Sequence, residues 1–378
     1  MWQKGVGMSK KILIVDDSAL MRRILCDIIS ADDRFSVADT AVNGMEALKL
    51  VRTNTYDLIV LDLTMPGMDG ITFLKEMNRI GNNTKVVVSS TLAKKGADIT
   101  VEALSLGAVD FIKKPDGIFD ARGEKFSSLF LRILSEVAFT DESEEQHESK
   151  IRVAEERAKS ERSGTPKKTS VKKNVTSDKA ESHKKIVAIA SSTGGPKALQ
   201  EVLPLLPADL DAPVLVVQHM PSGFTASLAE RFDNTCKLKV QEATDGMPVK
   251  KGNVYIAKGG IHMTIVRNGG NERIVFLDEK PREGVKPCAN YMYESLAGCT
   301  YEQITCVVLT GMGADGTEGI ANLKKKKKLH VIAQNQETCA VYGMPRSVAV
   351  AGLADEVVPL GKVAEAIIKN VGVNKDGC

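Results

Sequence analysis

From residue 10 to residue 115 short apolar runs alternate with stretches whose apolar positions recur at helical spacing. "KILIV", "DLIVLDL", "KVVVSS" and "DFIKK" are the runs, and "ALMRRILCDII", "GITFLKEMNRI" and "VEALSLGA" are the helical stretches between them. A strand exposed on one face alternates apolar and polar residues, whereas these runs are apolar on both faces. The pattern predicts a parallel sheet covered by helices on each side, a doubly wound α/β domain over residues 10–130. The pattern stops near Thr140. "TDESEEQHESKIRVAEERAKSERSGTPKKTSVKKNVTSDKAESHKK" is acidic at its start, basic at its end and almost devoid of apolar residues. Such a segment cannot bury enough surface to fold alone, which predicts a charged linker over 140–184. Apolar runs then resume as "KIVAIAS", "APVLVVQ", "NVYIA", "TIVRN", "RIVFLDE", "ITCVVLTG" and "LHVIAQ", with helical stretches such as "PKALQEVLPLL" and "FTASLAERF" between several of them. A second α/β domain with a mostly parallel sheet is expected over 185–372.

Composition narrows the class. A chain of 378 residues exceeds what one core usually organises, and 43 % apolar residues suffice for two. The net charge of +3 is too small to argue for nucleic acid or a membrane surface, and no helix-turn-helix pattern appears. Seven cysteines, an odd number with no C-x-x-C pair, fit free thiols in a reducing compartment. The start "MWQKGVGMSKKILIV" lacks a signal-type apolar region, and no long apolar stretch occurs. A soluble, cytoplasmic protein without membrane insertion is expected.

In open parallel sheets functional groups gather outside the carboxyl ends of the strands. "ILIVDD" ends in Asp16 and Asp17, and "LIVLDL" delivers Asp62. Carboxylates converging on one rim repel one another unless a cation sits among them, and hard oxygen ligands suit Mg²⁺. "KVVVSS" adds Ser89 and "FIKKP" adds Lys114 to that rim. The set makes a site for an acyl phosphate on Asp62, where metal and ammonium neutralise phosphoryl charge. The competing reading is that strand-end acids cap the next helix.

The second candidate site starts at "ASSTGGP", residues 190–196, between a strand and a helix whose start is marked by Gly194, Gly195 and Pro196. It is not a P-loop, since the G-K-[ST] lysine is missing. A plain Ser/Gly turn competes with a nucleophile. A serine nucleophile needs a base, and the five histidines offer few. His147 and His183 fall in the linker, His262 in an apparent hairpin "YIAKGGIHM", and His330 opens a strand. His219 ends "VLVVQHM" and so reaches the rim that carries Ser192, while "ITCVVLTGMGADG" brings Asp315 to a third strand end. Gly311, Gly313 and Gly316 also spell a dinucleotide fingerprint with Glu337 downstream, but Asp315 would then place a carboxylate where a pyrophosphate must sit.

With these motifs in view, "VDDS", "LDLTMPGMDG" and the Lys-Pro of "KKP" resemble the flavodoxin-like receiver domain of two-component response regulators across residues 10–130. "SSTGGP", "QHMPSGFT", "YIAKGGIHM", "LTGMGADG" and "YGMP" resemble the catalytic domain of the chemotaxis protein-glutamate methylesterases, CheB, over roughly 184–370. The resemblance implies phosphotransfer from a chemotaxis histidine kinase to Asp62, with Asp16 and Asp17 as metal ligands and Phe111 at an aromatic switch position. It implies Ser192 as nucleophile, His219 as general base and acid, Asp315 as the group orienting His219, and Met312 in a loop near the oxyanion site. The implied reaction is hydrolysis of glutamyl methyl esters on methyl-accepting chemoreceptors, releasing methanol, with deamidation of receptor glutamines through the same acyl-enzyme and no cofactor for the esterase step. Departures from the family pattern are Ala190-Ser191 in place of Gly-Ala, "KPCANYMY" in place of a segment with Ser, Val and Asp, and the run Lys324 to Lys328, which is expected to be a solvated helix end.

Overall fold

A computed structural model of the chain describes residues 9–90, 94–115, 117–139, 184–269 and 271–373. The expected linker, apart from Lys184, lies outside the described residues, as do His147 and His183. The first part runs β1 (Lys10–Val15), α1 (Ala19–Ser30), β2 (Phe35–Ala41), α2 (Gly44–Thr53), β3 (Leu58–Asp62), α3 (Gly70–Arg79), β4 (Lys85–Ser90), α4 (Lys94–Ser105), β5 (Asp110–Lys113), α5 (Ile118–Ala121) and α6 (Glu124–Ala138). Its strands form one sheet in the order β2-β1-β3-β4-β5, all parallel. Burial explains the apolar runs: every residue of β3 and all but the first of β4 are buried. Ile12, Ile14, Val60 and Val87 pack with Phe130, Ile133, Leu134 and Val137 of α6 on one face of the sheet. Leu13, Ile59, Leu61 and Val88 face Phe73, Leu74 and Val101 on the other.

The second part runs β6 (Lys185–Ser191), α7 (Gly195–Val202), β7 (Val214–Gln218), α8 (Phe224–Asp233), β8 (Lys239–Glu242), β9 (Asn253–Ile256), β10 (His262–Asn268), β11 (Asn271–Leu277), α9 (Ala289–Ser295), β12 (Gln303–Val308), α10 (Thr317–Lys324), β13 (Leu329–Gln334), α11 (Met344–Val350), β14 (Glu356–Val358) and α12 (Leu360–Val371). Seven strands form a parallel sheet in the order β14-β13-β12-β6-β7-β9-β8. Both parts are therefore α/β with a parallel main sheet, as the apolar runs predict. One correction concerns "YIAKGGIHM". It is not a hairpin: its first half closes β9 in the main sheet, and its second half opens β10, which pairs antiparallel with β11 instead. A Cβ on Gly259 would overlap the Pro221 backbone, so this glycine permits a close crossing of chains and not a tight reversal.

The order of strands decides where function gathers. In the second sheet β6 lies between β12 and β7, so the carboxyl ends of β12, β6 and β7 stand side by side. Helix α4 of the first part packs against α7 and α8 of the second, and their apolar residues join one buried cluster.

Candidate functional sites and the seam between them

At the rim of the first sheet, Asp16, Asp17 and Asp62 offer carboxylate oxygens that all lie within 4.8 Å of one another. The capping alternative fails here, because α1 is capped by the Ser18 side chain and α3 by that of Asp69. Asp16 accepts instead from the Ser18 N–H, and Asp62 from the Thr64 N–H. Lys114 follows the end of β5 and its Nζ lies 2.6 Å from Asp62 Oδ2 and 2.8 Å from Asp16 Oδ2. Ser89 is paired in register with Asp62 across β3 and β4. Burial pushes the Asp62 carboxyl up, Lys114 offsets part of this, and the neighbouring Asp16 adds to it. Burial alone would pull the Lys114 ammonium down, but Asp62 and Asp16 outweigh it and hold the ammonium above its ordinary value. Two buried carboxylates, Asp16 and Asp62, beside the exposed Asp17 are the donor set a hard divalent cation requires.

At the rim of the second sheet the two adjacent serines separate. Ser191 is fully buried and its Oγ donates to Gln218 Oε1 at 2.6 Å, whereas Ser192 lines an open cleft of about 380 Å³ together with His219, Met312 and Asp315. Alternation of side chains along an extended chain produces this split. The loop between β6 and α7 turns through Gly194, whose φ of 75° is left-handed, with Ser192 N–H donating to Thr310 O at 3.0 Å. His219 Nε2 lies 2.8 Å from Asp315 Oδ2, and His219 Nδ1 is buried without a hydrogen-bond partner among the described residues. No hydrogen bond joins Ser192 Oγ to His219 among those residues. The Met312 N–H likewise makes none among them.

Asp315 is the most heavily held of the predicted residues. Its Oδ2 accepts from Ala289 N–H at 2.6 Å, and its Oδ1 from Asn290 N–H at 2.9 Å and from the Cys288 thiol at 3.0 Å. Burial would push this carboxyl up; His219, Cys288 and Ala289 together outweigh burial and keep it below the usual carboxylate range. Burial and the neighbouring Asp315 push the Cys288 thiol far up, so it stays protonated and donates. Asn290 Oδ1 accepts from Gly316 and Gly319 N–H and fixes the far side of the same loop. The segment "KPCANYMY", which departs from the family pattern, is thus a cradle for Asp315. Spacing along the chain gave no sign of this, since 25 or more residues separate the partners.

Residues of the first part form one wall of the same cleft. Asp110 Oδ2 accepts from Thr193 Oγ1 at 2.5 Å, Val109 O accepts from Gly194 N–H at 2.9 Å, and the Phe111 ring packs on Phe224 with centroids 4.6 Å apart. Burial pushes the Asp110 carboxyl up, and Thr193 and the Phe111 N–H offset part of that. Phe111, expected at a switch position, is buried in the seam.

The remaining polar motifs have local partners. His262 Nδ1 accepts from Cys288 N–H while its Nε2 lies 3.1 Å from Lys280 O, so it is a structural strut. His330 pairs with Glu356 at the edge of the sheet. Glu337 binds Asn335 in a short turn. In the lysine run, Lys324 donates to Leu353 O, Lys325 to Asn322 Oδ1 and Lys327 to Cys299 O and Tyr301 O, which is the behaviour of a helix end closing on nearby acceptors. Among the described residues no helix is long and apolar enough to cross a membrane.

Fold and site define a class, a receiver-type α/β domain seamed to a second α/β domain whose central strand ends gather a serine, a histidine and a carboxylate. The chain belongs to the CheB methylesterase family: the model of that family matches residues 187–367, and the model of the response regulator receiver domain matches residues 12–120. A protein-glutamate methylesterase/protein-glutamine glutaminase 1 of Syntrophomonas wolfei subsp. wolfei is 40 % identical over 367 residues, covering 95 % of this chain and 98 % of the relative. The crystal structure of the Thermotoga maritima CheB methylesterase catalytic domain is 44 % identical, with TM-score 0.48, covering 49 % of this chain and 98 % of that one. The response regulator domain of Thermotoga maritima CheB is 38 % identical, with TM-score 0.30, covering 34 % of this chain and 92 % of that one.

Proposed function

We propose that this chain is a phosphorylation-controlled protein-glutamate methylesterase and protein-glutamine glutaminase acting on chemoreceptors in the cytoplasm. Residues 10–130 are the receiver, 140–184 the linker and 185–372 the catalytic domain. The observation that carries the reading is the His219–Asp315 pair, whose unpartnered Nδ1 shares a cleft with Ser192. With Nε2–H committed to Asp315, Nδ1 is the nitrogen left to take the Ser192 proton. Ser192 Oγ attacks the ester carbonyl, His219 passes the proton to the leaving methoxide, and methanol departs from an acyl-enzyme. Water then attacks the acyl carbonyl, giving its proton to His219, which passes it to Ser192 Oγ as the receptor glutamate is released. For a glutamine side chain ammonia leaves in place of methanol. The Met312 N–H is the candidate oxyanion donor. Asp315, held charged by its donors, stabilises the imidazolium that forms at each step.

In the receiver, Asp62 is the phosphoacceptor, served by a chemotaxis histidine kinase, with Ser89 and Lys114 beside the incoming phosphoryl oxygens. Asp16, Asp17 and Asp62 are the residues that would hold Mg²⁺, which supplies charge neutralisation when bound. The unphosphorylated receiver covers the cleft through Val109, Asp110 and Phe111. Incubation with methyl-labelled receptor membranes and measurement of released methanol tests the reading. Release that requires Ser192 supports it, and methanol from Ser192→Ala at the wild-type rate would sink it.

A further inference from the structure

The parallel ladder between β6 and β7 ends at the matched pair Ser191 and Gln218, and the last backbone bond across it runs from His219 N–H to Ser191 O at 3.1 Å. Ser192 and His219 are the residues directly after that end. The strands offer no further bond to hold the two at a fixed separation, yet proton transfer between them demands one. The Gln218 side chain fills the gap. Its Nε2 donates one hydrogen to Ser192 O at 2.9 Å and the other to His219 O at 3.2 Å, while its Oε1 accepts from Ser191 Oγ at 2.6 Å. Gln218 is 2 % exposed and Ser191 0 %, so water does not compete for these groups. The fit is close: a Cβ on Gly195 would overlap the Gln218 carbonyl oxygen, so only glycine leaves room for the amide.

We infer that Gln218 is a positioning residue that ties the backbone of the nucleophile to that of the base, with Ser191 orienting its amide; the inference rests on the reading of Ser192 and His219 given above. A primary amide has one acceptor and two donors, and here each is used in a different place. Among the described residues Ser191 Oγ is the donor to the acceptor side, which fixes both hydrogens toward the two carbonyls. The adjacent serine, redundant as a nucleophile, thereby acquires a role.

The test is steady-state methanol release by the full chain, phosphorylated so that the cleft is open, with thermal melts run on every variant. Gln218→Met keeps length and volume but has no donors. It is expected to lower kcat by about 10- to 100-fold with KM within about twofold, the pattern of misplaced reacting groups. Ser191→Ala is expected to lower kcat by about two- to fivefold, and the double variant to be no worse than Gln218→Met alone, because both act through one amide. A Gln218→Met protein that melts lower but keeps wild-type kcat overturns the inference and leaves Gln218 a packing residue. Multiplying effects in the double variant overturn it too. If Gln218→Met does not fold, Ser191→Ala decides, and wild-type kcat there counts against the role. Ser192→Ala in the same assay separates the two levels: an active Ser192→Ala means that the nucleophile itself is misassigned, whereas an inactive one with a normal Gln218→Met removes only the positioning role.

Discussion

The seam between receiver and hydrolase can be opened from the receiver side alone. Asp110 holds the catalytic domain through its hydrogen bond with Thr193, and its replacement removes no atom of the second domain. A side-chain hydrogen bond contributes roughly 0.5–1.5 kcal/mol net, so Asp110→Ala should lower the ratio of closed to open chains by up to about tenfold. The observable rise depends on how closed the wild type is. If the fragment 184–378 is about ten times faster than the unphosphorylated chain, the closed-to-open ratio is about nine. A tenfold fall in that ratio then raises the rate about fivefold. Phe111→Ala removes the ring packed at a tilt against Phe224 and should act in the same direction. The assay is methanol release by unphosphorylated full-length protein, with the fragment as the ceiling and phosphodonor added to each. Phosphodonor should have a smaller effect on Asp110→Ala than on wild type and none on the fragment. A fragment slower than the unphosphorylated whole chain would refute occlusion outright. A faster fragment with an unchanged Asp110→Ala would show that some other contact holds the domains together.

Three further perturbations test the chemistry. Ser192→Ala should abolish methanol release, since losing a triad nucleophile costs on the order of 10⁴ to 10⁶ in rate. A small phosphodonor with Mg²⁺ should label wild type but not Asp62→Asn, and label retained in the variant would move the phosphoacceptor elsewhere. Cys288→Ala should lower kcat by about tenfold through loss of the thiol donor on Asp315, with Cys288→Ser restoring it. In an Asp315→Asn background the same change should do nothing further, and an undiminished effect there would place the role of Cys288 elsewhere.

The strands legible in the sequence and those that escaped it differ in position. Every central strand of both sheets announces itself as an apolar run, because a strand buried on both faces is built mostly of apolar residues. Three strands without such a run, β2, β8 and β14, are all edges, with burial patterns mixed by exposure to solvent. The same geometry made Asp16, Asp62, Ser192, His219 and Asp315 visible, since each stands at or just past a strand's carboxyl end. What stayed hidden was everything that holds those residues. Cys288, Ala289 and Asn290 reach Asp315 from the start of α9, and Gln218 looked like the last residue of a strand, its amide serving a neighbour across the sheet. Long-range hydrogen bonds leave no periodic trace.

The seam shows how little chain separates the two candidate sites. Val109, Asp110 and Phe111 grip the hydrolase at the start of β5, and Lys114, directly after the same strand, bridges Asp16 and Asp62. On the proposed reading, a phosphoryl group on Asp62 would convert the carboxylate that Lys114 neutralises into an acyl phosphate, a mixed anhydride, and add oxygens that compete for the same ammonium. Lys114 N–H donates to Ser90 O, which ties Lys114 to the carboxyl end of β4. Ser89 sits at that end of β4, in register with Asp62. On the proposed reading, the strand that would feel the phosphate is the strand that lines the cleft, and no longer route through the receiver core would be needed to join them.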